Sequence, residues 1–217
     1  MTSSRWSEPL TQTEPKGGTQ MELSACIVVY NGAEEAIRAA QTVLDCTRRY
    51  PLTLYLVDNA SPDGCGPRLA QTDFGDVRVQ VICLPKNLGF GKGHNSIMDR
   101  LTSDVHFILN PDVIIHDDIL PQMAQWLLDH PGVVMATPQL YFPDGRIQNL
   151  PRRKPTPWLL LARQLAPRFG GVMQKADEHY TMQDEDLTIP RPIEFCTGSF
   201  AAMAWVGVFW YLPPKGI

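Results

Sequence analysis

Short apolar runs alternate with helical patterns from residue 23 to about 138. Leu23–Val29 is apolar at every position but Ser24, which predicts a strand buried on both faces. Ala33 to Arg49 carries Ile37, Ala40, Val43 and Leu44 at helical spacing, and Pro51 stops the pattern. Leu52–Val57 reads as a second strand, and Val77–Leu84 as a third with apolar residues at 77, 79 and 81. Asn95–Leu101 fits a short helix and Val105–Leu109 a fourth strand. Ile119–Leu128 places Leu120, Met123, Ala124, Leu127 and Leu128 on one helical face, and Val133–Ala136 reads as a fifth strand. This alternation predicts an α/β fold: a Rossmann-like, mostly parallel sheet with helices on both faces.

The flanks read differently. Residues 1–20 are polar, carry Pro and Gly, and have no apolar core of a signal peptide; they read as a disordered lead-in. Between Pro151 and Lys175 the sequence has six basic residues and no acidic one. Between Ala176 and Glu194 the balance turns acidic, and 195–217 has no carboxylate at all. The expected division is 1–20, 21–140, a less regular region 141–200 with the basic connector, and an atypical apolar tail 201–217.

Composition narrows the classes. The chain has 217 residues, 44% hydrophobic and 19% charged, which is globular usage. A net charge of −4 gives no electrostatic case for a nucleic-acid partner. The five cysteines form no CxxC pair, which argues against a zinc ribbon or disulfide framework and for reduced thiols in the cytoplasm. No apolar run is long enough to span a membrane; Phe200–Leu212, the nearest, would leave a large exposed apolar patch unless covered.

In open parallel sheets ligands sit beyond the carboxyl ends of the strands. The segment after each of the first four predicted strands is polar or glycine-rich: Tyr30-Asn31-Gly32, then Asp58-Asn59-Ala60-Ser61-Pro62-Asp63-Gly64, then Asn87-Leu88-Gly89-Phe90-Gly91-Lys92-Gly93-His94, then Asn110-Pro111-Asp112. Asp58 can accept hydrogen bonds from a base or sugar edge, or can simply open a turn. Asp112 can hold a divalent ion bridging a diphosphate, or can again be a turn residue. The glycines of 89–93 match neither a P-loop nor a GxGxxG spacing, and His94 has no partner visible in the sequence.

Taken together these strings, with Phe195-Cys196-Thr197-Gly198-Ser199-Phe200 after them, resemble family-2 glycosyltransferases of the GT-A fold. They are most similar to rhamnosyltransferase-like members that act on bacterial polysaccharides. The resemblance covers about 22–200 and implies inverting transfer of rhamnose or a related deoxyhexose. The donor would be a dTDP- or UDP-linked sugar, and the acceptor a glycan or a polyprenyl-diphosphate-linked one. By this resemblance Tyr30, Asn31, Asp58 and Asn59 line the nucleoside pocket, and Asn87, Gly89, Phe90 and Gly91 shape the donor site. Asn110 and Asp112 stand where the family has its Asp-x-Asp motif, with Asp112 the protein ligand for Mg²⁺ or Mn²⁺. Thr197, Gly198 and Ser199 border the acceptor.

The departure lies beyond that element, where the family carries the acidic residue that deprotonates the acceptor. No carboxylate comes after Glu194 here, so no catalytic base is assigned. Loss of resemblance after Phe200 carries the expectation of a frameshift or truncated reading frame. An inactive nucleotide-sugar binder is therefore the rival reading, with a sugar nucleotidyltransferase ranked lower. Asp184, Glu185 and Asp186 are substitutes by composition only; a solvated acidic loop is the plainer account. The basic stretch 151–175 suits a peripheral contact at the inner membrane face or a polyprenyl-diphosphate acceptor. It suits equally a connector whose leucines fill a groove.

Overall fold

The computed structural model describes residues 21–148, 151–154, 178–186, 191–193, 195, 196 and 198–204. They belong to two compact units: one takes in 21–136 with 198–204, the other the described part of 137–196. The first unit is built on a six-stranded sheet. In chain order its elements are β1 (Leu23–Val29), α1 (Ala33–Cys46), β2 (Leu52–Asp58), α2 (Cys65–Gln71), β3 (Val79–Cys83), α3 (Phe90–Asn95), β4 (Val105–Leu109), α4 (Ile119–Asp129) and β5 (Met135–Ala136). In the second unit β6 (Leu140–Tyr141) pairs with β7 (Ile147–Gln148), and β8 (Pro151–Arg152) with β9 (Phe195–Cys196). The chain then returns to the first sheet as β10 (Phe200–Ala204).

The sheet order is β3-β2-β1-β4-β10-β5. Strands β1 to β4 run parallel, and β10 is antiparallel to both neighbours. All seven residues of β1 are buried, as its unbroken apolar run requires of a central strand covered on both faces. Pleat and register show how that covering is divided. Val28 is the register partner of Val57, so Asp58 points to the opposite face. A Cβ on Gly93 of α3 would meet Val28 at 2.8 Å, and one on Gly66 of α2 would meet Asp58 at 2.7 Å. The two helices therefore cover opposite faces of the sheet.

Several expectations need correcting. The third strand is only 79–83, and Val77 is fully exposed. The glycine-rich segment is helical over 90–95, and the helix expected at 95–101 reduces to a 3₁₀ turn at Met98–Arg100. The small Gly93 lets α3 lie directly on β1, a packing that no periodicity reports. Helix α2 has no counterpart in the sequence pattern, because its seven residues contain Gly66 and Pro67 and too few apolar positions. Of the apolar stretch 200–212, the described residues 200–204 are covered, and 205–212 lie outside the described residues. Phe200, Ala201, Ala202 and Ala204 are buried in β10 between β4 and β5.

At the opposite end of the sheet from the polar strand termini, Arg78 closes α1. Its guanidinium donates to the carbonyls of Thr47 (2.9 Å) and Leu44 (3.1 Å) and pairs with Asp76 at 2.6 Å. The last turn of α1 has no basic residue of its own, so Arg78 supplies the positive charge that the helix terminus favours. Arg78→Ala is expected to lower stability by about 2 kcal/mol in urea denaturation, because the two carbonyls and Asp76 lose their charged donor and keep only backbone amides. Ligand affinity at the other end of the sheet is expected to stay unchanged.

Candidate functional site

Parallel register brings the carboxyl ends of the strands to one edge. Val29 lies beside Asp58 and Asp58 beside Cys83, while Leu109 stands between Ile27 and Phe200. The polar segments after β1, β2, β3 and β4 therefore share this edge with the turn that enters β10.

Asp58 ends β2 and is 4% exposed. Its carboxylate accepts from the Ser61 amide, at 3.3 and 3.4 Å to its two oxygens. Behind it stands Gly66, whose missing side chain leaves room: a Cβ there would sit 2.7 Å from Asp58 Oδ2 and 3.1 Å from Cys83 Sγ. Burial, and after it the Asp58 charge, push the Cys65 thiol up to about 11, so it stays protonated beside the carboxylate.

The β1 and β2 loops are tied together. Asn31 takes a left-handed conformation (φ 66°), and its amide donates to Ser61 Oγ at 2.9 Å. The Gly32 amide donates to Asp63 at 3.0 Å, and Arg68 on α2 pairs with Glu34 on α1 at 2.9 Å. Tyr30, half exposed, projects from this framework.

Both polar ends of the Asn59 side chain are engaged within the protein. It is 3% exposed. Its Oδ1 accepts the Leu88 amide at 2.9 Å, and its Nδ2 donates to Asn87 Oδ1 at 3.0 Å. Asn87 is exposed, and its Oδ1 also accepts the Gly89 amide at 2.8 Å. Gly89 has φ 78°, a conformation that favours glycine, and turns the chain into α3. Phe90 comes next, 46% exposed. Gly91 is exposed, with open space where a Cβ would stand.

On the far side of β1, the Asn110 amide donates to the Ser199 carbonyl at 2.9 Å, and the Val113 amide closes a turn on the Asn110 carbonyl. Asp112 lies exposed on that turn. Among the described residues, no hydrogen bond or ion pair engages its carboxylate. A Cβ on Gly198 would meet the Phe90 ring at 3.1 Å, so the turn entering β10 packs on α3. Thr197 lies outside the described residues.

His94 is a residue whose importance the sequence does not signal. It is buried against the Phe90 ring, 4.5 Å between centroids, and neither ring nitrogen has a hydrogen-bond partner among the described residues. Burial brings its pKa down to about 4. His106 on β4 is also held near 4, by burial first and by His94 second. Its Nδ1 lies 2.7 Å from Ser24 Oγ, which lies 2.6 Å from Ser103 Oγ.

In the second unit Arg153 gathers the acidic segment. Its guanidinium pairs with Asp184 at 2.7 Å and Glu185 at 2.8 Å and reaches the His179 carbonyl, while Arg191 holds the other oxygen of Glu185 at 2.8 Å. The Arg153 hydrogen bond, with His179 next, brings the Asp184 carboxyl down to about 2. Asp184 and Glu185 are thus ion-paired, while Asp184 and Asp186 remain exposed to solvent. A carboxylate this acidic is a weak proton acceptor.

A concavity of about 400 Å³ lies by the Arg78 end of α1, lined in part by Asp45, Arg48, Asp76 and Arg78. Its charges are spent on one another, Arg48 on Asp45 and Arg78 on Asp76, each at 2.6 Å. Among the described residues no group of three or more His, Cys, Asp or Glu forms a metal cage. No helix among them is long and apolar enough to cross a membrane.

The parallel sheet, with its polar strand ends, defines a GT-A-like α/β fold. A family model for glycosyl transferase family 2 matches residues 24–204, well over half of the 217 residues, and the chain belongs to this family. The match runs past Phe200 and takes in the whole of β10. No curated protein matches the chain. Among solved structures it is similar to the mannosyltransferase PcManGT from Pyrobaculum calidifontis in complex with GDP-Man and Mn²⁺, at TM-score 0.51 and 20% identity. The likeness is one of fold. It covers 65% of this chain and only 40% of the mannosyltransferase.

Proposed function

We propose that the chain binds a nucleotide-diphosphate sugar at the edge formed by β1, β2 and β4 and transfers the sugar with inversion. The observation that carries this reading is the placement of Asp58 and Asp112. Strand β1 separates the strands that bear them, so the two segments stand two strand spacings apart, about 10 Å. That span suits a nucleoside at Asp58 with Tyr30 and Asn31, and a diphosphate at Asn110–Asp112. A uracil, thymine or guanine base each presents an N–H for the Asp58 carboxylate. Guanine is added to the choice because the similar mannosyltransferase holds GDP-Man.

Asp112 fits a divalent ion that arrives with the donor. One unengaged, exposed carboxylate is too little for a resident metal, but Mg²⁺ is commonly held by one or two carboxylates together with substrate phosphates. Bound there, Mg²⁺ or Mn²⁺ would neutralise charge on the departing diphosphate. The acceptor hydroxyl oxygen would form its bond to the anomeric carbon as the bond to the diphosphate oxygen breaks. A base would take the hydroxyl proton. The sugar proposed is rhamnose or a related deoxyhexose. The acceptor is a glycan or polyprenyl-diphosphate-linked glycan at the inner membrane face, bordered by Thr197, Gly198 and Ser199. In this division 21–140 is the donor domain and 141–200 the acceptor side, with membrane contact through 151–175, of which 155–175 lies outside the described residues.

A second reading, donor binding without transfer, is favoured by the Arg153 network. That network occupies Asp184 and Glu185, two of the carboxylates considered as substitute bases. Calorimetric titration with dTDP, UDP and GDP, each with and without Mn²⁺, tests the donor site, and a donor-hydrolysis assay on the same sample separates the two readings. Asp112→Ala is expected to erase the difference between titrations with and without Mn²⁺ while the protein stays folded. Retention of metal-dependent affinity in that variant removes Asp112 from the site.

A further inference from the structure

We infer that Asn59 is a positioning residue: it turns the exposed Asn87 so that the Asn87 Nδ2 faces an oxygen of the bound nucleotide. The inference rests on the proposed donor site and adds to it a named hydrogen-bond donor and the group that aims it.

The orientation of both carboxamides is set by backbone donors. The Leu88 amide points at one atom of the Asn59 side chain at 2.9 Å, and only an oxygen can accept it. That fixes Oδ1 there and leaves Nδ2 to face Asn87 at 3.0 Å. The atom of Asn87 that meets it must accept, and the same atom receives the Gly89 amide at 2.8 Å. Two donors converging on one atom make it Oδ1. The Asn87 Nδ2 is then the end directed away from Asn59, with no hydrogen bond among the described residues and on an exposed side chain. An exposed amide with two free N–H groups, fixed at its oxygen by two bonds, is a prepared donor to a phosphate or ribose oxygen.

Asn59 itself makes no such contact. It is buried, its Oδ1 is used, and its main-chain amide is bonded to the Val29 carbonyl at 2.8 Å. Its neighbour Asp58 is the residue placed at the nucleoside. One dipeptide therefore recognises the base with its first residue and sets the 87–89 loop with its second. The sequence string Asp58-Asn59 gives no hint of this split, because both side chains are polar and adjacent.

Two substitutions separate aiming from mere support. Asn59→Asp keeps an acceptor for the Leu88 amide but sets an oxygen against Asn87 Oδ1. Asn87 must then turn its Nδ2 inward, withdrawing it from the ligand and leaving the Gly89 amide without its acceptor. Asn87→Ala deletes the presented group and leaves the Asn59–Leu88 bond in place. The test combines calorimetric titration with UDP, dTDP and GDP in Mn²⁺, amide exchange at Leu88 and Gly89, and a thermal melt. Both variants are expected to lose about tenfold in nucleotide affinity, the value of one lost hydrogen bond to a charged or strongly polar group. In Asn59→Asp, exchange is expected to quicken at Gly89 and not at Leu88.

A folded Asn59→Asp that binds as tightly as the wild type overturns the role of Asn59 alone. So does unchanged exchange at Gly89. A wild type that binds none of the three nucleotides overturns the donor-site reading, and the presenting role falls with it.

Discussion

Alanine at position 66 is expected to weaken nucleotide binding about 30- to 100-fold, although the proposed ligand does not touch residue 66. The added methyl would stand 2.7 Å from Asp58 Oδ2 and 3.1 Å from Cys83 Sγ. The helix is poorly placed to yield. Asp63 bonds the amides of both Gly32 and Cys65 at 3.0 Å, and Arg68 ties α2 to Glu34. The Asp58 carboxylate is the softer partner, and swinging it away gives up the Ser61 amide and the geometry offered to a base. Removing one charged hydrogen bond of that kind costs about 2–3 kcal/mol, which gives the stated loss in affinity. Titration of folded Gly66→Ala against the wild type checks it, with Gly132→Ala as a control because its added methyl meets nothing within 4 Å. Affinity within twofold of the wild type would show that Asp58 does not bear on the ligand.

The second large effect is loss of stability in acid. His94 and His106 are buried and neutral, each with its pKa lowered from 6.5 to about 4. Between those values the unfolded chain binds protons that the folded chain does not, so stability falls as pH drops from 6.5 toward 4 and is unaffected by these groups above 6.5. The full shift is worth on the order of 3 kcal/mol per histidine, less for the pair because part of the His106 shift comes from His94. Against a typical stability of about 5–15 kcal/mol, that is a substantial fraction of the total. His94→Leu is expected to flatten the slope by roughly half. It should also hold or raise stability at pH 7, since it removes two buried nitrogens that have no partner among the described residues. Urea midpoints at pH 7 and 5 measure both effects. An unchanged pH dependence in the variant would mean that His94 is solvated in the native state.

Strands β1, β2 and β4 are legible because a strand covered on both faces writes itself as a continuous apolar run. The strand ends are legible for a related reason: a polar residue directly after such a run has only the sheet edge to occupy. Local pattern cannot supply direction or partnership. By pattern β5 reads as the fifth strand of a mostly parallel sheet, yet among the described residues its strand neighbour is the antiparallel β10, some sixty residues later. Phe200–Ala204 reads as surplus hydrophobicity because the strand it pairs with, Val105–Leu109, is remote in sequence. Among the site residues, Asp58 can be picked out as a carboxylate at a strand end. Gly66 cannot, since its value lies in a side chain it lacks beside a carboxylate eight positions away. Polarity nominates Asn59 as a ligand contact, whereas burial gives it a structural task.

The position of β10 also sets the order in which the molecule can be finished. β4 and β5 are made early, but neither has its partner on that side until the chain has passed through the second unit and reached residue 204. On the ribosome, the open edge of β4 is an unpaired template for foreign strands throughout the synthesis of 137–199. The sheet is completed by insertion into its middle rather than by growth at its rim. A nascent chain of this protein therefore stays dependent on protection from aggregation until its last described strand has emerged.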